Sequence, residues 1–249
     1  MAHCEKHGDY IEQEKVIAGF TFRTGCPTCE KEAEEIEYQE GLRLAQEAER
    51  KRLESLNIEP MYFTSTLDNF IAGSPEQERA LAYASEMVKS RSGKLVLLGS
   101  NGTGKTHLAV GVVRILGGAI YSMYEITTRI RASYVSGAKE TELDIVDELA
   151  RVEMLAIDEI GRTKGSDAET NWLSYIVDKR NSRGLPLVLI SNKHTRKTCS
   201  DGGCQNCLEN YISEDIMSRL SEDGHLVTMC GEDYRRKKRA DKRYDGGKE

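Results

Sequence analysis

The chain has 249 residues and a formal charge of −6, and 39% of its residues are hydrophobic. No apolar stretch approaches the roughly 20 residues that cross a bilayer, and the first residues lack a signal-peptide pattern, so we expect a cytoplasmic protein without membrane contact. The negative net charge argues against a protein that coats duplex DNA along its length. It does not argue against a local basic surface on the protein. Most of the seven cysteines fall in two clusters, which in this compartment predicts metal binding rather than disulfides.

The first cluster lies within residues 1–29, which we interpret as a zinc-binding module. Cys4 and His7 are separated by two residues, and so are Cys26 and Cys29. Each pair can present two ligands from one tight turn, and together they supply the four that tetrahedral Zn²⁺ requires. A unit this small has too little apolar core to fold alone, which favours a metal over the alternative of a loose terminus with incidental thiols. His3 is an alternative ligand with poorer spacing.

Residues 30–56 are predicted to form a charged linker helix, with nine acidic and five basic side chains. Its approximate apolar stripe suits either a helix that connects two domains or binds a partner helix, or an ordinary exposed linker helix. From residue 57 the pattern changes to apolar segments that alternate with helical stretches, as a parallel sheet covered on both faces requires. The predicted strands are Leu95–Leu98, Ala119–Tyr124, Met154–Ile157, Leu185–Ser191 and Leu226–Cys230.

A phosphate-binding loop follows the first of these strands directly. The sequence G-x-x-x-x-G-K-T comprises Gly99, Ser100, Asn101, Gly102, Thr103, Gly104, Lys105 and Thr106. The glycines let backbone N–H groups curl around phosphate oxygens at the start of a helix, where the helix dipole favours anions. We expect Lys105 to contact the β- and γ-phosphates and Thr106 to hold Mg²⁺, so the chain is predicted to bind a nucleoside triphosphate.

Polar residues end the third and fourth predicted strands, where ligands bind in open α/β sheets. Asp158 is predicted to hold Mg²⁺ through water, and Glu159 to orient and polarise the attacking water, which favours hydrolysis. Asn192 ends the strand expected beside the phosphate loop and can bond both the γ-phosphate and the water; the alternative is a capping role in the next turn. Arg219 lies on a mainly apolar helix, and either reaches the ATP of a neighbouring subunit or forms a surface salt bridge.

The second cysteine cluster lies between Asn192 and the helix of Arg219. Cys199, Cys204 and Cys207 follow His194 in a glycine-containing loop. Cys204 and Cys207 have the spacing of a zinc knuckle, which suits a second zinc site. The alternative is that the three cysteines are free thiols. Residues 235–249 form a basic C-terminal tail, which suits a solvated segment as well as a nucleic-acid contact.

Residues from about 58 to 235 resemble the DnaC-type helicase loaders, AAA+ ATPases that place replicative helicases on DNA. The resemblance rests on Ile58 and Pro60 ahead of Leu67-Asp68-Asn69-Phe70, then on GSNGTGKTHLA, AIDEIG, SNK, the Ser-Arg-Leu box and Glu232-Asp233-Tyr234-Arg235. It implies an AAA+ P-loop NTPase domain over residues 57–234 with a five-stranded parallel sheet. The zinc module and the charged helix that precede this domain are predicted from the residues alone, and the zinc module departs from the pattern of the better-known loaders.

The resemblance also implies roles for individual residues. It implies Asn192 as sensor 1, Arg219 as an arginine finger and Arg235 as a second sensor that contacts nucleotide. It further implies a helix after the second strand that contacts single-stranded DNA, here residues 125–134. Arg131 and Tyr134 are predicted to share a face of that helix, pairing a cation for phosphate with an aromatic ring for base stacking; the alternative for Tyr134 is a core position.

The implied function is ATP-dependent loading of a hexameric, DnaB-type replicative helicase onto single-stranded DNA, by a protein that assembles head-to-tail when ATP is bound. Two other functions remain open. One is an IstB-like transposase-helper ATPase acting on duplex DNA, against which the zinc module and the acidic charge speak mildly. The other is a zinc-stapled adaptor for DNA or protein that uses ATP only as a structural ligand.

Overall fold

The computed structural model describes residues 1–17, 20–162, 166–201, 204–231 and 233–234. The chain divides into two compact units, Met1–Arg52 and Leu53–Glu249. The finer division into residues 1–29, 30–56, 57–234 and 235–249 stays a prediction. Among the described residues, no helix is both long and apolar enough to span a membrane.

The first unit consists of two short antiparallel hairpins and most of a long helix. Strands β1 (Ala2–Cys4) and β2 (Gly8–Tyr10) form one hairpin, and β3 (Glu14–Ile17) and β4 (Phe20–Arg23) form the other. Helix α1 spans Pro27–Ser55. It begins three residues earlier than the predicted linker helix, because Pro27 suits a first helical position, and it therefore includes Cys29.

The second unit contains the predicted five-stranded parallel sheet. Its strands are β5 (Lys94–Leu98), β6 (Ala119–Ser122), β7 (Leu155–Asp158), β8 (Leu187–Ile190) and β9 (Gly224–Thr228). Their spatial order is β6-β7-β8-β5-β9, and every pairing is parallel. The predicted neighbourhood of β5 and β8 is confirmed, with Leu97 opposite Ile190. The carboxyl ends of the phosphate-loop strand and of the acidic strand therefore open on the same edge of the sheet.

Helices cover both faces of this sheet, as the continuous apolar strands predict. Leu95 and Leu97 belong to a core shared with α2 (Pro75–Ser90) and α3 (Lys105–Leu116). Val96 and Leu98 alternate to the other face. That face packs against α4 (Met123–Ala132), α5 (Glu142–Arg151), α6 (Asp167–Arg183) and α7 (Glu214–Glu222). The α/β fold with two covered faces is thus confirmed.

Side-chain caps fix where several of these helices begin. Ser122 accepts a bond from the Glu125 N–H, and the Glu125 carboxylate accepts from the Ser122 N–H in return. This capping box begins α4 at Met123, which is why β6 ends before the predicted Tyr124. Ser166 and Ser213 are the N-cap residues of α6 and α7, and the side chain of each accepts a bond from the N–H group three residues later.

Candidate active site of the second unit

The phosphate loop connects β5 to the N-terminus of α3. Gly104 is the N-cap residue of α3 and provides no side-chain cap, so the first N–H groups of the helix face the loop. Lys105 is only 5% exposed, and its Nζ donates to the carbonyl oxygens of Gly99 (2.8 Å) and Ser100 (2.6 Å). A buried ammonium beside free helix N–H groups forms a site for a polyanion.

Residues distant in sequence brace this loop. The buried side chain of Gln77 donates to the Thr103 carbonyl at 3.0 Å and accepts from the Gly73 N–H at 2.6 Å. On the other side, the Tyr234 N–H donates to the Gly102 carbonyl at 3.1 Å. The sequence motif does not reveal these contacts, because Gln77 and Tyr234 are distant from the loop in sequence and reach it only through the fold.

Gly104 also allows a close approach that another residue would obstruct. Its φ angle is +92°, in the left-handed region, and a Cβ atom added there would lie 2.5 Å from Cε2 of Phe70. Phe70 itself packs edge-on against the His107 ring, with centroids 5.3 Å apart. The Leu67-Asp68-Asn69-Phe70 string therefore has a physical role as a wall of the phosphate loop.

Asp158 and Thr106 meet at the carboxyl edge of the sheet. The Thr106 hydroxyl donates to Asp158 Oδ2 at 2.7 Å, and the Glu159 N–H donates to Oδ1 at 2.6 Å. Burial raises the pKa of Asp158 despite these two bonds. A buried carboxylate next to a hydroxyl is a donor set that fits Mg²⁺, since a cation would offset the cost of the buried charge.

Glu159 follows Asp158 directly and has an unusual backbone conformation. Its φ angle is +60°, which is uncommon for a residue with a side chain. The carboxylate forms an ion pair with Arg162, three residues later, and about a third of it remains exposed. The two residues line a cleft of about 370 Å³ together with Met123 and Tyr124. The sequence motif gave no indication of Arg162 as a partner of Glu159.

Asn192 is exposed just beyond β8, next to a turn that other groups hold in place. The Ser191 hydroxyl donates to the Ile160 carbonyl at 2.6 Å and accepts from the Lys193 N–H at 3.2 Å. The next short helical turn begins after Thr195, so the capping alternative for Asn192 is wrong. The amide is left at the same edge of the sheet as Asp158.

Arg219 lies on α7 and forms a surface salt bridge, one of the two roles that the sequence left open for it. Its Nη1 is 2.5 Å from Asp178 Oδ1 on α6, and both side chains are about 40% exposed. An ion pair this exposed contributes little to stability and can exchange for another partner.

One prediction about the proposed DNA-contact helix is wrong. Helix α4 ends at Ala132, because Ser133 caps it and its hydroxyl bonds the Ile130 carbonyl, so Tyr134 lies in the following turn and does not share a helix face with Arg131. The core alternative for Tyr134 is also wrong, since the residue is 63% exposed and its hydroxyl donates to Glu142. Arg131 is exposed on α4 itself.

Candidate metal centres and relatives

The four predicted ligands of the N-terminal module converge. One donor atom from each of Cys4, His7, Cys26 and Cys29 lies within 4.8 Å of all the others. His7 Nδ1 is 3.3 Å from Cys29 Sγ and 3.7 Å from Cys26 Sγ, while its Nε2 is 3.1 Å from Glu32 Oε1. A carboxylate on the outer nitrogen of the histidine is the usual support of a metal ligand. The hydrogen bond between the Cys29 and Cys4 side chains, and after it burial, raises the pKa of Cys29 to about 11.

His3 is excluded from this cluster, because it is largely exposed and its Nδ1 is 2.6 Å from Asp9 Oδ1. The late cluster converges as well: the donor atoms of His194, Cys199, Cys204 and Cys207 also lie within 4.8 Å of one another. Burial raises the pKa of Cys207 to about 12. Arg235 and the basic segment 235–249 lie outside the described residues, and their predicted roles stay predictions.

The glycine-rich loop, the buried Lys105 and the paired Thr106 and Asp158 at one edge of a parallel sheet define a P-loop nucleoside triphosphatase. A family profile described as "IstB-like ATP binding protein" matches residues 32–242. The chain therefore belongs to the IstB/DnaC-like family of AAA+ ATPases.

Individual relatives agree with this assignment. The replicative helicase loader DnaC of Escherichia coli K12 is 26% identical over 196 residues, which cover 75% of each chain. The crystal structure of the DnaC helicase loader matches with a TM-score of 0.58 at 20% identity, covering 69% of this chain and all of that one. The crystal structure of DnaI matches with a TM-score of 0.54 at 19% identity, covering 73% and 98%. These structural likenesses show the fold.

Proposed function

We propose that the chain is an ATP-dependent loader of a hexameric, DnaB-type replicative helicase onto single-stranded DNA. The observation that carries the proposal is the combination of two features: Asp158, bonded to Thr106 and to the Glu159 N–H beside the phosphate loop, and similarity to a helicase loader over three-quarters of both chains. The reaction is hydrolysis of ATP to ADP and phosphate, and its energy drives release of the loader.

In the proposed reaction, the loop from Gly99 to Thr106 binds the phosphates through its N–H groups and Lys105. Mg²⁺, held by Thr106 and Asp158, would neutralise charge on the β- and γ-phosphates. Glu159 orients and polarises the attacking water, and Asn192 bonds the γ-phosphate and that water. The short distances that join Thr106, Asp158 and the backbone of Glu159 support this assignment.

Arg219 is proposed to complete the site of a neighbouring subunit in a head-to-tail assembly. Developing charge in phosphoryl transfer is commonly stabilised by such an arginine. Its exposed partner Asp178 leaves it available for exchange at low cost. ATP would then act at the contact between subunits, and so promote assembly.

The N-terminal module is proposed to hold Zn²⁺ through Cys4, His7, Cys26 and Cys29 and to bind the helicase with the adjoining helix. Two cysteine–histidine turns with four converging donors and an outer-sphere Glu32 fit a structural zinc site. A metal would stabilise this unit where secondary structure alone is insufficient, since each strand of the two hairpins has only three or four residues.

Single-stranded DNA is proposed to contact Arg131 and Tyr134. The revised position of Tyr134 changes the geometry but leaves a cation and an aromatic ring exposed within three residues of each other. Base stacking on an exposed ring and a phosphate contact from an arginine are both independent of base sequence, as loading at varied positions requires.

The proposal is tested by native mass spectrometry of the full chain mixed with the replicative helicase of its own source. We expect a stoichiometric complex in Mg²⁺ and ATP whose composition changes when ATP is withheld. A monomer under every nucleotide condition, with and without helicase, would contradict the proposal.

A second candidate is favoured by the family description itself, which names IstB-like proteins. A transposase-helper ATPase would bind duplex DNA tightly in an ATP-dependent manner and would recruit a transposase. Electrophoretic mobility shifts with duplex and single-stranded oligonucleotides of equal length separate the two functions. Preference for the duplex, combined with no helicase complex, would favour the transposase helper.

A further inference from the structure

The late cluster, defined as His194, Cys199, Cys204 and Cys207, has no part in the hydrolytic reaction, yet its donor atoms converge. We propose that it binds one structural zinc ion, which clamps the segment between Asn192 and helix α7 against the turn that follows Glu159.

The donor geometry supports a tetrahedral site. All four donor atoms lie within 4.8 Å of one another, and Cys204 Sγ is 3.3 Å from His194 Nε2. With Zn–S near 2.3 Å and Zn–N near 2.0 Å, the ligand atoms of a tetrahedral zinc site lie roughly 3.5–3.8 Å apart. Three thiolates and one imidazole satisfy zinc completely, so the site has a structural rather than a catalytic composition.

The backbone around the cluster has the bonding of a metal knuckle. The Asn206 N–H points at Cys204 Sγ, 3.3 Å away, as amides of a Cys-x-x-Cys turn do toward a thiolate. The Asp201 carbonyl accepts from the Cys204 N–H at 3.2 Å, and Cys199 Sγ lies 3.4 Å from the same oxygen. These contacts gather the second and third ligands at one turn of the loop.

The other two ligands, His194 and Cys207, lie on two segments of the chain that are paired with each other. His194 and Cys207 form an isolated parallel bridge, in which the Leu208 N–H donates to the His194 carbonyl at 2.8 Å. Cys207 is only 2% exposed, and Leu208 beside it belongs to the core that also contains Ile160. An ion at this point would therefore be anchored to the core of the domain.

The cluster adjoins the catalytic edge through two side chains. Lys193 Nζ lies 4.3 Å from the centre of the Tyr211 ring and donates to Asn206 Oδ1 at 2.8 Å. A Cβ atom added to Gly161 would lie 3.0 Å from Cγ of Tyr211 and 3.3 Å from Cε of Lys193. Gly161 is two residues beyond Glu159, so the segment held by the cluster packs directly on the turn that carries the proposed catalytic carboxylate.

The main test counts zinc in the full-length protein by native mass spectrometry and elemental analysis. We expect two ions per chain in the wild type, one in Cys204→Ser, one in Cys26→Ser of the N-terminal cluster, and none in the double variant. Cys230→Ser, which alters an exposed cysteine outside both clusters, and His194→Cys, which keeps four ligands, should both retain two.

These counts distinguish the late site from the N-terminal site. A wild-type count of one that Cys204→Ser abolishes would support the late site while refuting the N-terminal one. A single ion that Cys204→Ser retains would overturn the inference. So would an intact mass lower than expected by two hydrogens, with a disulfide mapped among the three late cysteines.

A second measurement avoids dependence on the folding of variants. In the native wild-type protein, iodoacetamide should label Cys230 quickly and should label Cys199, Cys204 and Cys207 only after a strong chelator is added. Equal labelling of all four thiols before chelation would overturn the inference.

The clamp is tested by kinetics, and this part rests on the proposed ATPase function. Cys204→Ser should lower kcat for ATP hydrolysis while leaving KM for ATP unchanged, because the phosphate loop is formed elsewhere. His194→Cys, which keeps four ligands, should retain the wild-type kcat. A loss of zinc with no change in kcat would refute the clamp while leaving the metal site intact.

Discussion

Replacing Arg219 by alanine should separate catalysis from stability. The ion pair with Asp178 joins two side chains that are each about 40% exposed. Exposed pairs contribute about 0.2–1 kcal/mol, so the variant should lower the free energy of unfolding by no more than about 1 kcal/mol. That corresponds to a Tm decrease of at most about 4 °C for a domain of this size. Loss of an arginine finger, by contrast, should lower ATP hydrolysis by roughly 10³-fold or more.

The assay is phosphate release at saturating ATP with helicase and single-stranded DNA present. Asp178→Asn is the matched control, because it breaks the same ion pair while keeping the arginine. We expect it to show the same small Tm decrease with nearly full hydrolysis. Equal loss of hydrolysis in both variants would indicate that the salt bridge itself matters and would refute the finger assignment.

Mixing two inactive variants gives the decisive result. Lys105→Ala removes a phosphate contact but retains Arg219, so it can complete the site of an Arg219→Ala neighbour. In a randomly mixed head-to-tail assembly, about a quarter of the sites would then be intact. Hydrolysis should return to about that fraction of the wild-type rate. No recovery, in an assembly shown to contain both variants, would contradict the head-to-tail arrangement.

Three further predictions concern the site within one chain. Glu159→Gln should abolish ATP hydrolysis while ATP binding, measured by calorimetry, stays intact; unaltered turnover would favour the adaptor function. Arg162→Ala should change the rate of ATP hydrolysis by no more than about fivefold, since its ion pair with Glu159 is exposed; a total loss would assign Arg162 a direct role. Gly104→Ala should weaken ATP binding and lower stability by more than the 1–2 kcal/mol of left-handed strain, because its Cβ would meet Phe70. Gly184→Ala, with similar φ but open space, is its control, and equal Tm decreases would exclude the clash.

The sequence predicted those features whose signal is local. All five strands of the sheet were predicted from continuous apolar runs, the pattern of strands that are buried on both faces. The last one was placed two residues too late, at Leu226–Cys230 instead of Gly224–Thr228, because it begins with a glycine and a histidine and lies at the edge of the sheet, where Leu226 is 41% exposed. The phosphate loop and Asp158 follow from short motifs whose spacing sets their geometry. The four N-terminal donors likewise converge, since two ligand pairs on tight turns have few ways to be arranged.

What the sequence did not predict depends on contacts between distant segments. Gln77 is an ordinary helix residue by pattern, and only the fold brings it to the Thr103 carbonyl. The error at Tyr134 has a local cause: no glycine or proline stops the helix, and the serine cap at Ser133 is a weaker signal. The hairpins β1–β2 and β3–β4 were missed because segments of three or four residues have too few positions to show periodicity.

The central claim is tested most directly with a closed circle of single-stranded DNA, onto which a ring-shaped helicase cannot thread from an end. The account predicts that the replicative helicase becomes bound to the circle, and resists a salt wash, only when this protein and ATP are both present. Retention of the helicase at the same level without the protein or without ATP would contradict that claim.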